Sequence, residues 1–153
     1  MAVTHVAYEV EGWGVGELWL EGGRVVWHEL PWPRKTAPRG TTELVERLRA
    51  YFAGKAVSLE DVEVDLEYET PFFERCAHAL RAIPRGEVVT YGELAALAGA
   101  PGAARAAGSF CARNRLGLFV PCHRVVGAGG LGSYGSYGVE YKRRLLELEG
   151  ASV

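Results

Sequence analysis

Gly99-Ala100-Pro101 constrains the chain more tightly than any other tripeptide, because helical patterns run up to it from one side and away from it on the other. The first pattern, residues 90–97, opens with Thr90-Tyr91-Gly92-Glu93. Those residues form a capping box in which Thr90 and Glu93 satisfy each other's orphan amide donors. The second, residues 102–112, follows Pro101, a residue suited to a first helical turn. Two helices joined by three residues that include a glycine predict a helix-turn-helix. The second helix lacks bulk, seven of its eleven residues being Ala or Gly, and Arg105 is its one charged side chain. Gly108 inside it costs about 1 kcal/mol relative to Ala. Two causes fit: tight packing on the neighbouring helix, or backbone approach to a nucleic-acid groove.

Downstream, residues 116–120 (Leu-Gly-Leu-Phe-Val) read as a short buried strand that Pro121 ends by removing a backbone donor. Cys122 and His123 follow at once, so a thiol and an imidazole stand side by side where a rigid element stops. A free thiol is mostly protonated at neutral pH, and a positioned base is the usual way to activate it. Adjacency leaves two readings open, a catalytic pair or an inert small core residue.

The first third reads as sheet: residues 5–11, 16–20 and 24–30, with a turn at Glu21-Gly22-Gly23. Thr41 or Thr42 caps a helix running to Ala53, with Leu44, Leu48 and Phe52 on one face. Residues 62–68 alternate apolar and acidic and predict a half-exposed strand. After Thr70-Pro71 a helix is expected over residues 73–83, and another over about 139–148 before Gly150.

With 153 residues, 48% apolar and 24% charged, the chain has the composition of a soluble globular protein. No apolar run approaches the roughly 20 residues that a membrane crossing needs. The start, Met1-Ala2-Val3-Thr4-His5, has neither a basic nor an apolar export region. Three cysteines, Cys76, Cys111 and Cys122, fit reduced thiols better than a disulfide framework. A cytoplasmic protein is expected, or a nuclear one in a eukaryote. The net charge is −2, but residues 101–153 carry seven Lys or Arg against three Glu, leaving −6 for residues 1–100. Such polarity can orient a protein on a phosphate backbone.

Taken together, Pro121-Cys122-His123-Arg124-Val125-Val126-Gly127, the upstream Tyr91, Ala103-Ala104-Arg105-Ala106 and Asn114, and the downstream Lys142, Leu145-Leu146 and Glu149-Gly150 resemble one family. It is the methylated-DNA–protein-cysteine methyltransferases, or alkylguanine-DNA alkyltransferases, matched over about residues 70–150. The resemblance implies an α+β protein: a small antiparallel-sheet, RNase H-like domain over residues 1–68, and a helical domain with a helix-turn-helix over 69–153. It implies DNA repair in a single turnover. Double-stranded DNA carrying an alkylated guanine is bound, the base is flipped out, and its 6-O-alkyl group passes irreversibly to Cys122. His123 would act as base through a water, oriented by Glu149. Tyr91 would crowd the phosphate and offer its phenol to the departing guanine, and Asn114 would brace the site.

Arg105 would fill the gap left by the flipped base, with Ala104, Gly108, Tyr91, Arg113, Arg115 and Arg124 also at the DNA. Tyr91, Pro121, Val125, Tyr134, Ser136 and Val139 would line the substrate pocket. No cofactor, no metal and no membrane are expected, and the protein should be a monomer. His5 and His28, with no Cys before residue 76, give little basis for the amino-terminal zinc that some relatives hold. Three departures stand out. Arg115 follows Asn114 where the family commonly has Pro, Gly135 occupies a usually aromatic lid position, and residues 72–77 lack a Trp. The competing readings are a non-catalytic alkyltransferase-like damage sensor, a DNA-binding regulator, and a Cys-His hydrolase.

Overall fold

The computed structural model describes residues 2–152, which divide into two compact units. One runs up to Asp65 and takes in Arg115–Gly117; the other holds Leu66–Asn114 and the chain from Leu118 onward. The architecture is α+β, with a three-stranded antiparallel sheet in the first unit and most of the helix in the second.

In the first unit β1 (Val3–Val10), β2 (Gly14–Glu21) and β3 (Arg24–Trp32) form a meander in the order β1-β2-β3. Val6, Tyr8, Leu18, Val25 and Leu30 are among the side chains the sheet buries, and the β2–β3 ladder shifts register between Trp19 and Leu20. Helix α1 (Glu43–Phe52) is capped by Thr42, whose hydroxyl accepts from the Val45 amide. Val45, Leu48, Tyr51 and Phe52 are buried, and the Phe52 ring lies 4.9 Å from that of Trp13. The expected strand over residues 62–68 does not form. Only Val64 bridges, to Val25, and an apolar-acidic alternation without a continuous partner edge stays irregular.

Tyr8 faces Gly16 across the strands, and a Cβ at Gly16 would overlap the Tyr8 ring. The space so left admits a buried polar pair. His28 Nδ1–H donates to the Gly117 carbonyl at 2.8 Å, so Nε2 carries the lone pair and accepts from the Tyr8 hydroxyl at 2.6 Å. The imidazole is therefore neutral, and burial lowers its pKa from 6.5 to about 4. A depressed histidine pKa contributes stability above the unfolded value, and that stability is lost as pH falls through the folded one. Between pH 6.5 and 4 His28 alone should cost about 3 kcal/mol of folding free energy. Chemical denaturation of His28→Gln across this window should give a distinctly shallower pH slope than the wild-type chain, and parallel slopes would contradict the assignment.

In the second unit α2 (Pro71–Arg81) begins two residues earlier than expected. Thr70 caps it by accepting from the Phe73 amide, and Pro71 takes the first turn, where its missing N–H costs nothing. β4 (Val89–Thr90) leads into α3 (Tyr91–Leu97), and both halves of the Thr90/Glu93 capping box are present. Helix α4 (Ala104–Ala112) starts later than expected. Pro101 lies in the connecting turn rather than the helix, Gly102 has φ 91°, and the cap residue Ala103 offers no side-chain acceptor. β5 (Val125–Val126) pairs in parallel with β4, and α5 (Val139–Leu148) spans the expected residues. The expected strand over residues 116–120 is also absent. Leu116 makes one bridge to His28, and the chain then turns through Leu118 at φ 73°. Its apolar side chains are buried all the same. Among the described residues no helix is long and apolar enough to cross a membrane.

Candidate active site

Pro121 precedes a single 3₁₀ turn, Cys122–Arg124, that presents the thiol and imidazole on consecutive residues. The turn is held at both ends: the Cys122 amide donates to Val120 O at 2.8 Å and the Arg124 amide to Pro121 O at 2.9 Å. β5 follows directly and pairs Val125 with Val89 and Val126 with Thr90. That ladder fixes the start of α3, and with it Tyr91, against the segment that carries Cys122.

Cys122 is buried, and burial is the main reason its pKa lies above the ordinary thiol value. The Asn114 amide, the charge of Lys142 and the nearby Tyr134 hydroxyl pull the other way without cancelling it. The resting sulfur is a thiol. Asn114 also donates from Nδ2 to Val120 O at 2.8 Å and accepts from the Tyr68 hydroxyl at 3.1 Å. Its amide is thereby locked with donors toward the Cys122 segment.

His123 is wholly buried, and its Nε2–H donates to Glu149 Oε2 at 2.7 Å. Burial lowers the imidazole pKa, partly offset by the Glu149 hydrogen bond and charge. With the proton on Nε2, Nδ1 carries a lone pair, and that buried atom has no hydrogen-bond partner among the described residues. A buried basic nitrogen of this kind, one residue from a thiol, is a candidate proton acceptor. Glu149 caps the carboxyl end of α5, before Gly150 at φ 81°. Burial alone would raise its pKa, yet His123 and Arg124 together hold the carboxyl well below the usual range.

Arg124 belongs to this network. Its Nε and Nη2 donate to Glu149 at 2.9 and 3.0 Å and its Nη1 to Ile83 O at 2.7 Å. The sequence pointed this guanidinium at DNA phosphate, but here its donors serve Glu149 and a backbone carbonyl. Arg115 lies in the first unit, donating to Val26 O and Asp65 O and paired with the Asp65 carboxylate at 3.1 Å. Arg105 on α4 and Arg113 at its end are exposed, and neither side chain makes an ion pair among the described residues. Ala104 opens α4. A Cβ at Gly108 would meet only the Tyr91 ring, at an ordinary 3.9 Å, so packing does not demand the glycine.

Among the pocket residues, Pro121, Val125 and Tyr134 are buried, Tyr91 is half-buried, and Ser136 and Val139 are exposed. Tyr134 stacks loosely with Tyr137 and Tyr141 at 5.9 and 6.2 Å between centroids. Gly135, at the position where an aromatic ring was expected, has φ 53°. The sequence reading assigned no role to Lys142, Ser133 or Tyr68. Lys142 is fully buried, and its signal was its place on the stripe of α5 that holds Tyr141, Leu145 and Leu146. Among the described residues no group of three or more His, Cys, Asp or Glu side chains is placed to hold a metal ion.

A thiol, a lone-pair imidazole, a carboxylate behind it and a phenol nearby can together deprotonate sulfur and supply a proton elsewhere. Residues 71–151 match the family described as 6-O-methylguanine DNA methyltransferase, DNA binding domain. The methylated-DNA–protein-cysteine methyltransferase of Mycobacterium tuberculosis H37Rv is 50% identical over 113 residues, 73% of this chain and 67% of that one. The Salmonella typhimurium protein of the same name is 44% identical over 107 residues, 70% of this chain and 62% of its own. Among solved structures, Mycobacterium tuberculosis OGT in complex with DNA superposes with a TM-score of 0.82 at 39% identity, covering 95% of this chain and 92% of that one. The O6-methylguanine-DNA methyltransferase of Pyrococcus kodakaraensis gives 0.71 at 26% identity, covering 98% and 100%. The chain belongs to the 6-O-methylguanine DNA methyltransferase family.

Proposed function

We propose that this protein repairs DNA by taking the alkyl group of a 6-O-alkylguanine onto Cys122, once per molecule. The observation that carries this reading is the buried Cys122 thiol next to an imidazole whose Nε2–H is committed to Glu149 and whose Nδ1 is unengaged. Burial that keeps the thiol protonated at rest protects it from stray electrophiles, so the sulfur must be ionised only when substrate is in place. His123 takes the thiol proton through one bridging water. The thiolate attacks the alkyl carbon, the S–C bond forms, and the C–O bond breaks with its electron pair leaving on guanine. Tyr91 protonates the guanine as it leaves. A thioether has no leaving group of comparable quality, so the reaction stops after one turnover.

In this reading α3, the turn at residues 98–103 and α4 are the helix-turn-helix, and the unit with the three-stranded sheet is the RNase H-like scaffold. The functional division falls near residues 68 and 69. Exposed Arg105 fits a side chain that replaces the flipped base, and Arg113 fits phosphate. Gly108 supports close backbone approach, since packing does not require it. Activity with neither metal nor cofactor, as a monomer in the cytoplasm, belongs to the same reading.

Incubation with a duplex containing 6-O-methylguanine tests it by intact-mass spectrometry. Each protein molecule should gain one methylene unit and the DNA should lose one methyl, with no further turnover at excess substrate. Binding without a mass gain would instead support a damage sensor or a regulator.

A further inference from the structure

Lys142 is a lysine with no exposed surface and no carboxylate partner among the described residues. A buried ammonium without a counter-charge is costly, and it calls for a use. Its Nζ donates to the Ser133 carbonyl at 3.2 Å and lies 5.7 Å from the centre of the Tyr91 ring. Ser133 in turn engages the Tyr91 phenolic oxygen through its side chain and its backbone, in the sense that favours the phenolate against the burial that raises the phenol's pKa. Gly132, at φ 78°, is what permits this contact, because a Cβ there would fall 2.8 Å from the Tyr91 oxygen. One serine is thus clamped between the lysine and the phenol.

A phenol has one proton to give and two lone pairs that accept. The Ser133 amide can only donate, so it engages one lone pair of the Tyr91 oxygen and leaves the phenolic proton to be passed onward. Its titratable neighbours include the sulfurs of Cys111 and Cys122. We propose that Ser133, held in place by Lys142, is a positioning residue that aims the Tyr91 proton at the guanine leaving from Cys122, and this rests on the repair reaction proposed above. Proton balance closes simply: guanine keeps the Tyr91 proton, the phenolate regains one from water, and His123 releases the thiol proton to water. The buried ammonium beside the ring also favours the short-lived phenolate.

The test compares two electrophiles. Transfer from 6-O-methylguanine in a duplex needs a proton for its leaving group, whereas iodoacetamide alkylates Cys122 with iodide leaving unprotonated. Ser133→Ala should slow methyl transfer about tenfold, a fraction of what a general acid contributes, and leave the iodoacetamide rate within about twofold. Ser133→Thr should restore transfer, and Ser133→Ala should cost nothing more in a Tyr91→Phe background. The proposal is overturned if Ser133→Ala transfers at the wild-type rate, if it slows both reactions alike, or if its loss adds to that of Tyr91→Phe. A wild-type chain that takes no methyl would overturn the repair reading itself, and the proposal with it.

Discussion

Cys122→Ala is expected to bind a methylated duplex as tightly as the wild-type chain and to transfer no methyl, a loss of about 10⁴-fold or more in single-turnover rate. The substitution deletes one sulfur from a buried position, and the 3₁₀ turn that presents it is held by backbone bonds the mutation leaves alone. Rescue by another thiol is not expected. Burial raises the pKa of Cys111 above the ordinary thiol value and that of Cys76 to about 11, and neither is adjacent to a base. Gel-shift and rapid-quench measurements on the same preparation separate the two properties. Residual transfer above a hundredth of the wild-type rate would remove Cys122 as the nucleophile.

Glu149→Gln should be nearly as damaging to the rate, by about 10³-fold, and should also destabilise the fold by about 3 kcal/mol. The carboxylate serves two donors, a neutral imidazole and a guanidinium: it receives the His123 Nε2–H at 2.7 Å and two Arg124 bonds at 2.9 and 3.0 Å. Glutamine keeps the volume and loses the charge, leaving Arg124 largely buried with the Ile83 carbonyl as its remaining acceptor in this network. It can also present an N–H to His123 Nε2, which moves the imidazole proton onto Nδ1 and removes the base. Because Glu149 raises the His123 pKa, its loss lowers imidazole basicity further, and the acid limb of the rate profile should move to lower pH. The wild-type carboxyl is held below its unfolded pKa, so its contribution to stability is present above the ordinary carboxylate range and fades as pH falls below it. The variant should lack that dependence. Wild-type rate and stability in Glu149→Gln would show that the pair is incidental.

What could be read from residue order was what short-range rules decide. The Thr90/Glu93 capping box, the span of α5 and the cap at Thr42 all depend on neighbours within a turn, and all are present. The two strands that failed depended on partners the local pattern cannot supply. Residues 116–120 are apolar because they are buried, but Leu118 turns the chain and the one bridge goes to His28, far back in sequence. The candidate site could be picked out because Cys122 and His123 are consecutive and Glu149 stands at the end of a patterned helix, and the fold brings His123 and Glu149 together. The roles of Arg124 and Lys142 could not. A guanidinium reads as a surface cation until the carboxylate that takes it is placed, and a buried ammonium becomes visible only once the loop carrying Ser133 folds over α5.

The central claim is that one particular sulfur receives the alkyl group. Trypsin would place the three cysteines in three peptides, residues 76–81, 106–113 and 116–124. After incubation with methylated duplex, tandem mass spectrometry of the digest should find the added methylene on Cys122 alone, in the peptide of residues 116–124, at one equivalent per chain. A methyl group on the peptide bearing Cys111 or Cys76, or on no peptide while the DNA stays methylated, would contradict the account.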